Sequence, residues 1–174
     1  MKASTFQYGA HVFANGIRQH YLRYGGAQAG PPVVLVPGIT SPAATWGFVG
    51  ERFGRCFDTY VLDVRGRGLS STGPELDYSL DTYAKDVSEF ASALRLQPYL
   101  LVGHSMGGRI AIRAARGDRK IEKLVIVDPP LSGPAAGWAP LWTMPPRWTE
   151  PVRLGLNGSD TSYWRNSPVP QHET

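Results

Sequence analysis

The chain has 174 residues, a net charge of +4 and 42% hydrophobic residues, which suffices for one globular domain with its own core. It opens without a basic-then-apolar leader and holds no apolar run near the roughly 18 residues that span a bilayer, so a cytoplasmic protein with no membrane association is expected. Its single cysteine, Cys56, excludes an internal disulfide, suits a reducing compartment and reads as a packed apolar residue, and no Cys/His spacing suggests a metal site.

Much of the positive excess lies in Arg109, Arg113, Arg116, Arg119, Lys120 and Lys123. No aromatic interleaving or recognition motif accompanies these residues. They read as the solvated side of a helix and its exit loop, and no nucleic-acid partner is expected.

In chain order, residues 6–14 and 17–24 predict two strands joined by Asn15-Gly16, a strong hairpin signal. Val33 to Val36 is a continuous apolar run, the pattern of a strand covered on both faces, and it ends at Pro37-Gly38. A short helix is expected over 46–54. Residues 60–64 form the next strand, followed by a glycine-rich loop from Arg65 to Gly68. Over 81–95, Tyr83, Val87, Phe90, Ala91 and Leu94 share one face of an amphipathic helix. Asp81 stands near its start, where a carboxylate favours the helix dipole. A strand at 99–102, a helix at 106–116 and a strand at 124–127 complete the series. Strands alternating with helices predict an α/β domain with a mostly parallel sheet.

The motif "GHSMGG" at 103–108 lies between the predicted strand 99–102 and the predicted helix 106–116. A Gly-x-Ser-x-Gly there is the placement of a nucleophile elbow, in which a strained serine projects its hydroxyl from the sheet edge. The flanking glycines, Gly103 and Gly107, make room where a side chain would meet neighbouring backbone. The bland alternative is a glycine-rich turn in which Ser105 caps the helix. An acyl-transfer serine also needs oxyanion donors. The backbone N–H of Met106 is one candidate, and the loop in "VVLVPGIT" offers the N–H of Ile39 as the second.

The order "VLVPGIT", "YVLDVRGRGLS" and "LLVGHSMGG" resembles the α/β-hydrolase superfamily. More specifically, "GITSPAATWGFVGERFGRCFDTYVLDVRGRGLSS" and "LVIVDPPLSGP" resemble the N-formylmaleamate deamidases of bacterial nicotinate degradation. The resemblance covers roughly residues 5–134. It implies an α/β-hydrolase fold with an N-terminal antiparallel hairpin. It also implies hydrolysis of a small N-formyl amide to maleamate and formate, with no metal and no organic cofactor.

Two aspartates end strands. Asp63 precedes the Arg-Gly-x-Gly loop, which the resemblance makes structural. Asp128 follows "LVIV" and precedes two prolines. Triads of this fold run serine, acid, histidine along the chain. Asp128 fits that order, with a simple turn-forming role as its alternative. The histidine does not follow as readily. His11 and His20 lie in the opening hairpin, and His104 adjoins the serine with its side chain directed away. His172 alone follows Asp128, the third residue from the end of the sequence and with no strand expected before it.

The composition changes after about residue 130. Residues 131–174 hold four of the five tryptophans and seven of the fifteen prolines, without useful periodicity. The chain therefore divides into 1–133, the N-terminal part of a hydrolase domain, and 134–174, a tail of atypical composition. The preferred explanation is a C-terminally incomplete, truncated or frame-shifted hydrolase with impaired activity. Three other readings share the motifs: a serine hydrolase of esters or carbon–carbon bonds, a non-catalytic binding protein on the same scaffold, and an inactive remnant. Ser105 argues against dehalogenases and epoxide hydrolases, which place aspartate at this position.

Overall fold

The computed structural model describes residues 9–26 and 30–129. Residues 6–8 of the expected first strand and the whole tail 134–174, with His172, lie outside the described residues. Among the described residues six strands form one sheet: β1 (Ala10–Ala14), β2 (Ile17–Tyr24), β3 (Val33–Val36), β4 (Thr59–Leu62), β5 (Tyr99–His104) and β6 (Ile121–Val127). Their spatial order is β1-β2-β4-β3-β5-β6. The hairpin pairs antiparallel, β2 pairs antiparallel with β4, and the remaining contacts are parallel.

The hairpin turns where expected. Asn15 (φ 46°) and Gly16 (φ 75°) both adopt left-handed backbone, as a two-residue turn between twisted strands demands. The four residues of β3 and the four of β4 are all buried. Alternation along β3 sends Val34 and Val36 to one face and Val33 and Leu35 to the other. On the first face they meet α2 (Leu80–Ala93) and α3 (Met106–Gly117) through Val87, Phe90, Ala91, Ile110 and Ala114. On the second they meet Trp46, Val49 and Phe53, from a 3-10 turn (Ala43–Trp46) and α1 (Gly47–Phe53). A central parallel sheet is thus covered on both sides, which is why these strands read as unbroken apolar runs.

Several boundaries differ from the sequence expectation. The helix expected over 46–54 is preceded by a 3-10 turn that starts behind Pro42, and the strand expected to reach residue 64 ends at Leu62. The Asp63 N–H still donates to His20 O at 3.0 Å, and its carboxylate and carbonyl accept from four neighbouring groups. Strand β6 begins at Ile121, earlier than the expected 124. Cys56 is exposed and not packed. It sits in the turn after α1, where Phe53 and Phe57 pack toward the core instead.

A buried ion pair joins the hairpin, the loop after β4 and α2. Arg65 donates to both carboxylate oxygens of Asp86, at 2.9 Å from Nε and 2.7 Å from Nη2. Asn15 adds a bond from Nδ2 to Asp86 Oδ1 at 2.6 Å, and Arg65 also reaches the Asn15 carbonyl at 3.1 Å. Such a bidentate, fully bonded pair is the arrangement that makes buried charges tolerable. Among the described residues no helix is long and apolar enough to cross a membrane.

Candidate active site

Strand β3 has β4 on one side and β5 on the other. The chain leaves β3 for β4 and later returns to β5 on its other flank. In open α/β sheets such a switch point opens a crevice at the strand carboxyl ends. The loop after β3 carries Gly38 and Ile39, and the turn after β5 carries Ser105. Both lie at that crevice.

Ser105 has φ 52° and ψ −122°, a conformation that L-residues with a side chain rarely adopt. Holding a residue there costs about 1–3 kcal/mol, so the surroundings must enforce it. They do so through backbone packing. A Cβ on Gly103 would collide with the backbone of Gly107, and one on Gly107 would collide with the carbonyl oxygens of Val36 and Pro37. The elbow is therefore pressed against the end of β3 at a distance only glycine permits. The Ser105 N–H donates to Val127 O at 2.9 Å, which ties the turn to β6 as well.

Ser105 stands at the N-cap position of α3, yet its side chain makes no cap hydrogen bond. The capping role considered from sequence is not what the hydroxyl does. Among the described residues the hydroxyl has no partner. Met106 is the first residue of α3, where a backbone N–H has no intrahelical acceptor. Gly38 packs so closely that a Cβ there would lie 3.3 Å from Ser105 Cβ. Gly38 O accepts from Ser41 N at 3.1 Å, closing a turn over residues 38–41. In a trans peptide the Ile39 N–H points opposite to the Gly38 carbonyl. It is thus directed out of the turn, and it has no acceptor among the described residues. The side chain of Ile39 is 48% exposed.

The two aspartates separate clearly. Asp63 is buried and fully engaged. Its carboxylate accepts from Ala43 N at 2.6 Å, from Leu69 N at 2.9 Å and from His20 Nδ1 at 2.7 Å. Its carbonyl accepts from Ser70 Oγ at 2.6 Å. It braces the loop after β3 against the loop after β4. Asp128 is exposed, has φ 44°, and directly follows the residue whose carbonyl holds Ser105 N–H.

None of the three described histidines hydrogen-bonds Ser105. His20 is held by Asp63, and its ring lies 4.9 Å from that of His11. The His104 ring lies 5.2 Å from Trp46, with Nδ1 buried and unpartnered among the described residues. Two features escaped the sequence reading: Trp46 beside His104, and Arg67, whose Nε donates to Ile39 O at 2.5 Å. Neither carries a motif, since both contacts join segments distant in sequence. No group of three or more His, Cys, Asp or Glu side chains among the described residues could hold a metal ion.

A nucleophile-elbow geometry at the switch point of such a sheet defines an alpha/beta hydrolase. The model of the alpha/beta hydrolase family matches residues 33–172, and the chain belongs to that family. N-formylmaleamate deformylase of Pseudomonas putida is 58% identical over 161 residues, which is 90% of this chain and 59% of the relative. A solved N-formylmaleamic acid deformylase from Pseudomonas putida, a serine-to-alanine variant, superposes with a TM-score of 0.67 at 53% identity. That match covers 76% of this chain and 50% of the other. More distantly, 2-(acetamidomethylene)succinate hydrolase of Mesorhizobium japonicum is 37% identical over 87 residues, covering 50% of this chain and 31% of the relative. The chain thus spans from about a third to three-fifths of the length of these relatives. The family match and the deformylase match both run past Gly133 into the Trp- and Pro-rich segment.

Proposed function

We propose that this chain carries the nucleophile, oxyanion and acid parts of a serine hydrolase that removes the formyl group from N-formylmaleamate. The observation that carries the mechanism is the backbone of Ser105, at φ 52° and ψ −122°, locked by glycine packing with its hydroxyl uncommitted. The substrate comes from the similarity to the deformylase over 90% of the chain.

In this reading Ser105 Oγ attacks the formyl carbon and its proton passes to a histidine base. The N–H groups of Met106 and Ile39 hold the oxyanion, a contribution often worth about 3–4 kcal/mol per donor. The carbon–nitrogen bond then breaks, the histidine protonates the leaving nitrogen, and maleamate departs. Water attacks the formyl ester, releasing formate and restoring the hydroxyl. Asp128 orients the histidine and stabilises its charged form. No described histidine serves as that base, and His172, which follows the acid in sequence, lies outside the described residues. The reading needs no cofactor, takes a small-molecule substrate and fits a cytoplasmic enzyme of nicotinate degradation.

One observation favours a second reading, a binding protein on the same scaffold: no described imidazole hydrogen-bonds Ser105. Incubation with N-formylmaleamate separates the two. Formate release that disappears in Ser105→Ala supports the hydrolase. Ligand binding without release in either protein supports the binding protein.

A further inference from the structure

We infer that Arg67 is a positioning residue for the oxyanion donor Ile39, an inference that rests on the serine-hydrolase reading of Ser105. Ile39 is flanked by two peptide planes. The first is set by the turn, because Gly38 O accepts from Ser41 N–H and the Ile39 N–H must point the other way. The second is set by Arg67, whose Nε donates to Ile39 O at 2.5 Å. The guanidinium is itself anchored, since Nη1 donates to Gly66 O at 2.8 Å. A planar fork held at two points fixes the carbonyl it grips far better than a single flexible ammonium can.

The same loop is gripped at its other end, where Asp63 accepts from Ala43 N. Arg67 and Asp63 both belong to the segment following β4. That segment therefore clamps the oxyanion loop on both sides of residues 40–42. With the N–H of Ile39 left without an acceptor, the clamp presents a preorganised donor beside Ser105. Preorganisation is what makes such a donor effective, because nothing must reorient as charge develops.

The chemistry of Arg67 supports this role over that of an ordinary surface cation. Both of its hydrogen bonds go to backbone carbonyls. It has no carboxylate partner among the described residues, whereas Arg23, Arg65 and Arg113 each pair with an aspartate. Through its bond to Ile39 O it polarises the Ile39–Thr40 peptide.

The test uses a fluorophosphonate, which phosphonylates a reactive serine with loss of fluoride and of the hydroxyl proton to solvent. The maximal labelling rate and the half-saturating reagent concentration are measured for the full chain and for Arg67→Met, Arg67→Lys and Ser105→Ala. Arg67→Met should lower the maximal rate by about tenfold or more, a fraction of what losing an oxyanion donor costs. The half-saturating concentration should stay within about twofold, since a uniform binding contact is not what is removed. Arg67→Lys should recover part of the rate. An unchanged maximal rate in Arg67→Met overturns the inference. So does a change confined to half-saturation, which would make Arg67 a binding residue. Should Arg67→Met not fold, a fully active Arg67→Lys overturns it equally, because a flexible ammonium lacks the planar fork on which the positioning depends. A chain that is not labelled even with imidazole added as base, or whose labelling persists in Ser105→Ala, overturns the serine reading itself.

Discussion

Ser105 donates its backbone N–H to the carbonyl oxygen of Val127 at 2.9 Å, so the tip of the elbow is bonded to the residue that precedes Asp128. The register of β5 against β6 runs up to this point, with His104 opposite Val127. Parallel pairing thus delivers the proposed nucleophile and the proposed acid to the same end of the sheet. It also supplies tertiary restraint that keeps Ser105 in its strained backbone.

That restraint depends on close approach, and Gly107→Ala tests it. The added methyl would meet Val36 O and Pro37 O, both backbone atoms at the end of β3. Backbone cannot swing aside as a side chain can. A loss of about 1–3 kcal/mol in urea unfolding is expected, together with loss of Ser105 reactivity. Gly117→Ala is the control, because a Cβ there meets nothing within 4 Å. Wild-type stability and labelling in Gly107→Ala would show that the elbow does not need this contact.

Asp63→Asn tests the bracing of the loop after β3. One carboxylate oxygen serves Ala43 N–H, and the other serves Leu69 N–H and His20 Nδ1. An amide offers only one oxygen, so at least one donor then faces an NH2 group in a buried site. A cost of about 3 kcal/mol is expected from breaking a buried charged network. Chemical denaturation of the variant checks the figure, and a change under about 0.5 kcal/mol, typical of an inconsequential surface site, would remove Asp63 from its bracing role.

Tyr60 predicts an alkaline loss of stability. Burial, aided by the bond from its hydroxyl to Asp58 Oδ2 at 2.9 Å, pushes its pKa up to about 12. In the unfolded chain a tyrosine releases its proton near pH 10. The folded state therefore keeps a proton that the unfolded state gives up. The associated stabilisation is complete below pH 10 and is lost as the pH rises toward 12. Tyr99 is also pushed up, chiefly by burial and with Asp118 accepting from its hydroxyl at 2.9 Å. Melting temperatures between pH 9 and pH 12 should fall less steeply in Tyr60→Phe than in the wild type (about 2 pH units above a model tyrosine being at stake). Equal slopes would mean that Tyr60 does not hold its proton in the fold.

How much of this was legible in the sequence depends on the range of each interaction. The Asn15-Gly16 turn and the apolar run Val33 to Val36 announce themselves locally, because left-handed backbone and two-sided burial each leave a composition of their own. The Gly103, Ser105 and Gly107 spacing does so for the same steric reason. The role of Asp63 at the end of β4 was not legible because its carboxylate bonds Ala43, Leu69 and His20, partners 20, 6 and 43 residues away. Arg67 gripping Ile39 spans 28 residues and joins a side chain to a backbone carbonyl. A backbone acceptor has no residue identity, so no pattern of letters could record that contact. Cys56 was misjudged because burial there follows from which way one turn faces.

The base is the part of the site that chemistry can probe directly. No described imidazole hydrogen-bonds Ser105, the proposed nucleophile. If the chain supplies no base of its own, imidazole in solution should act as one. The rate of p-nitrophenyl ester hydrolysis is measured at increasing imidazole concentrations, and the same series in Ser105→Ala is subtracted to remove imidazole's own attack on the ester. The Ser105-dependent part should rise with imidazole, and His172→Ala should leave it unchanged. General-base participation contributes about 10²–10⁴-fold, so even partial rescue is measurable. The contrary pattern is equally definite. A high rate without imidazole, lost in His172→Ala and restored by imidazole in that variant, would place the base at His172 and complete the triad within this chain.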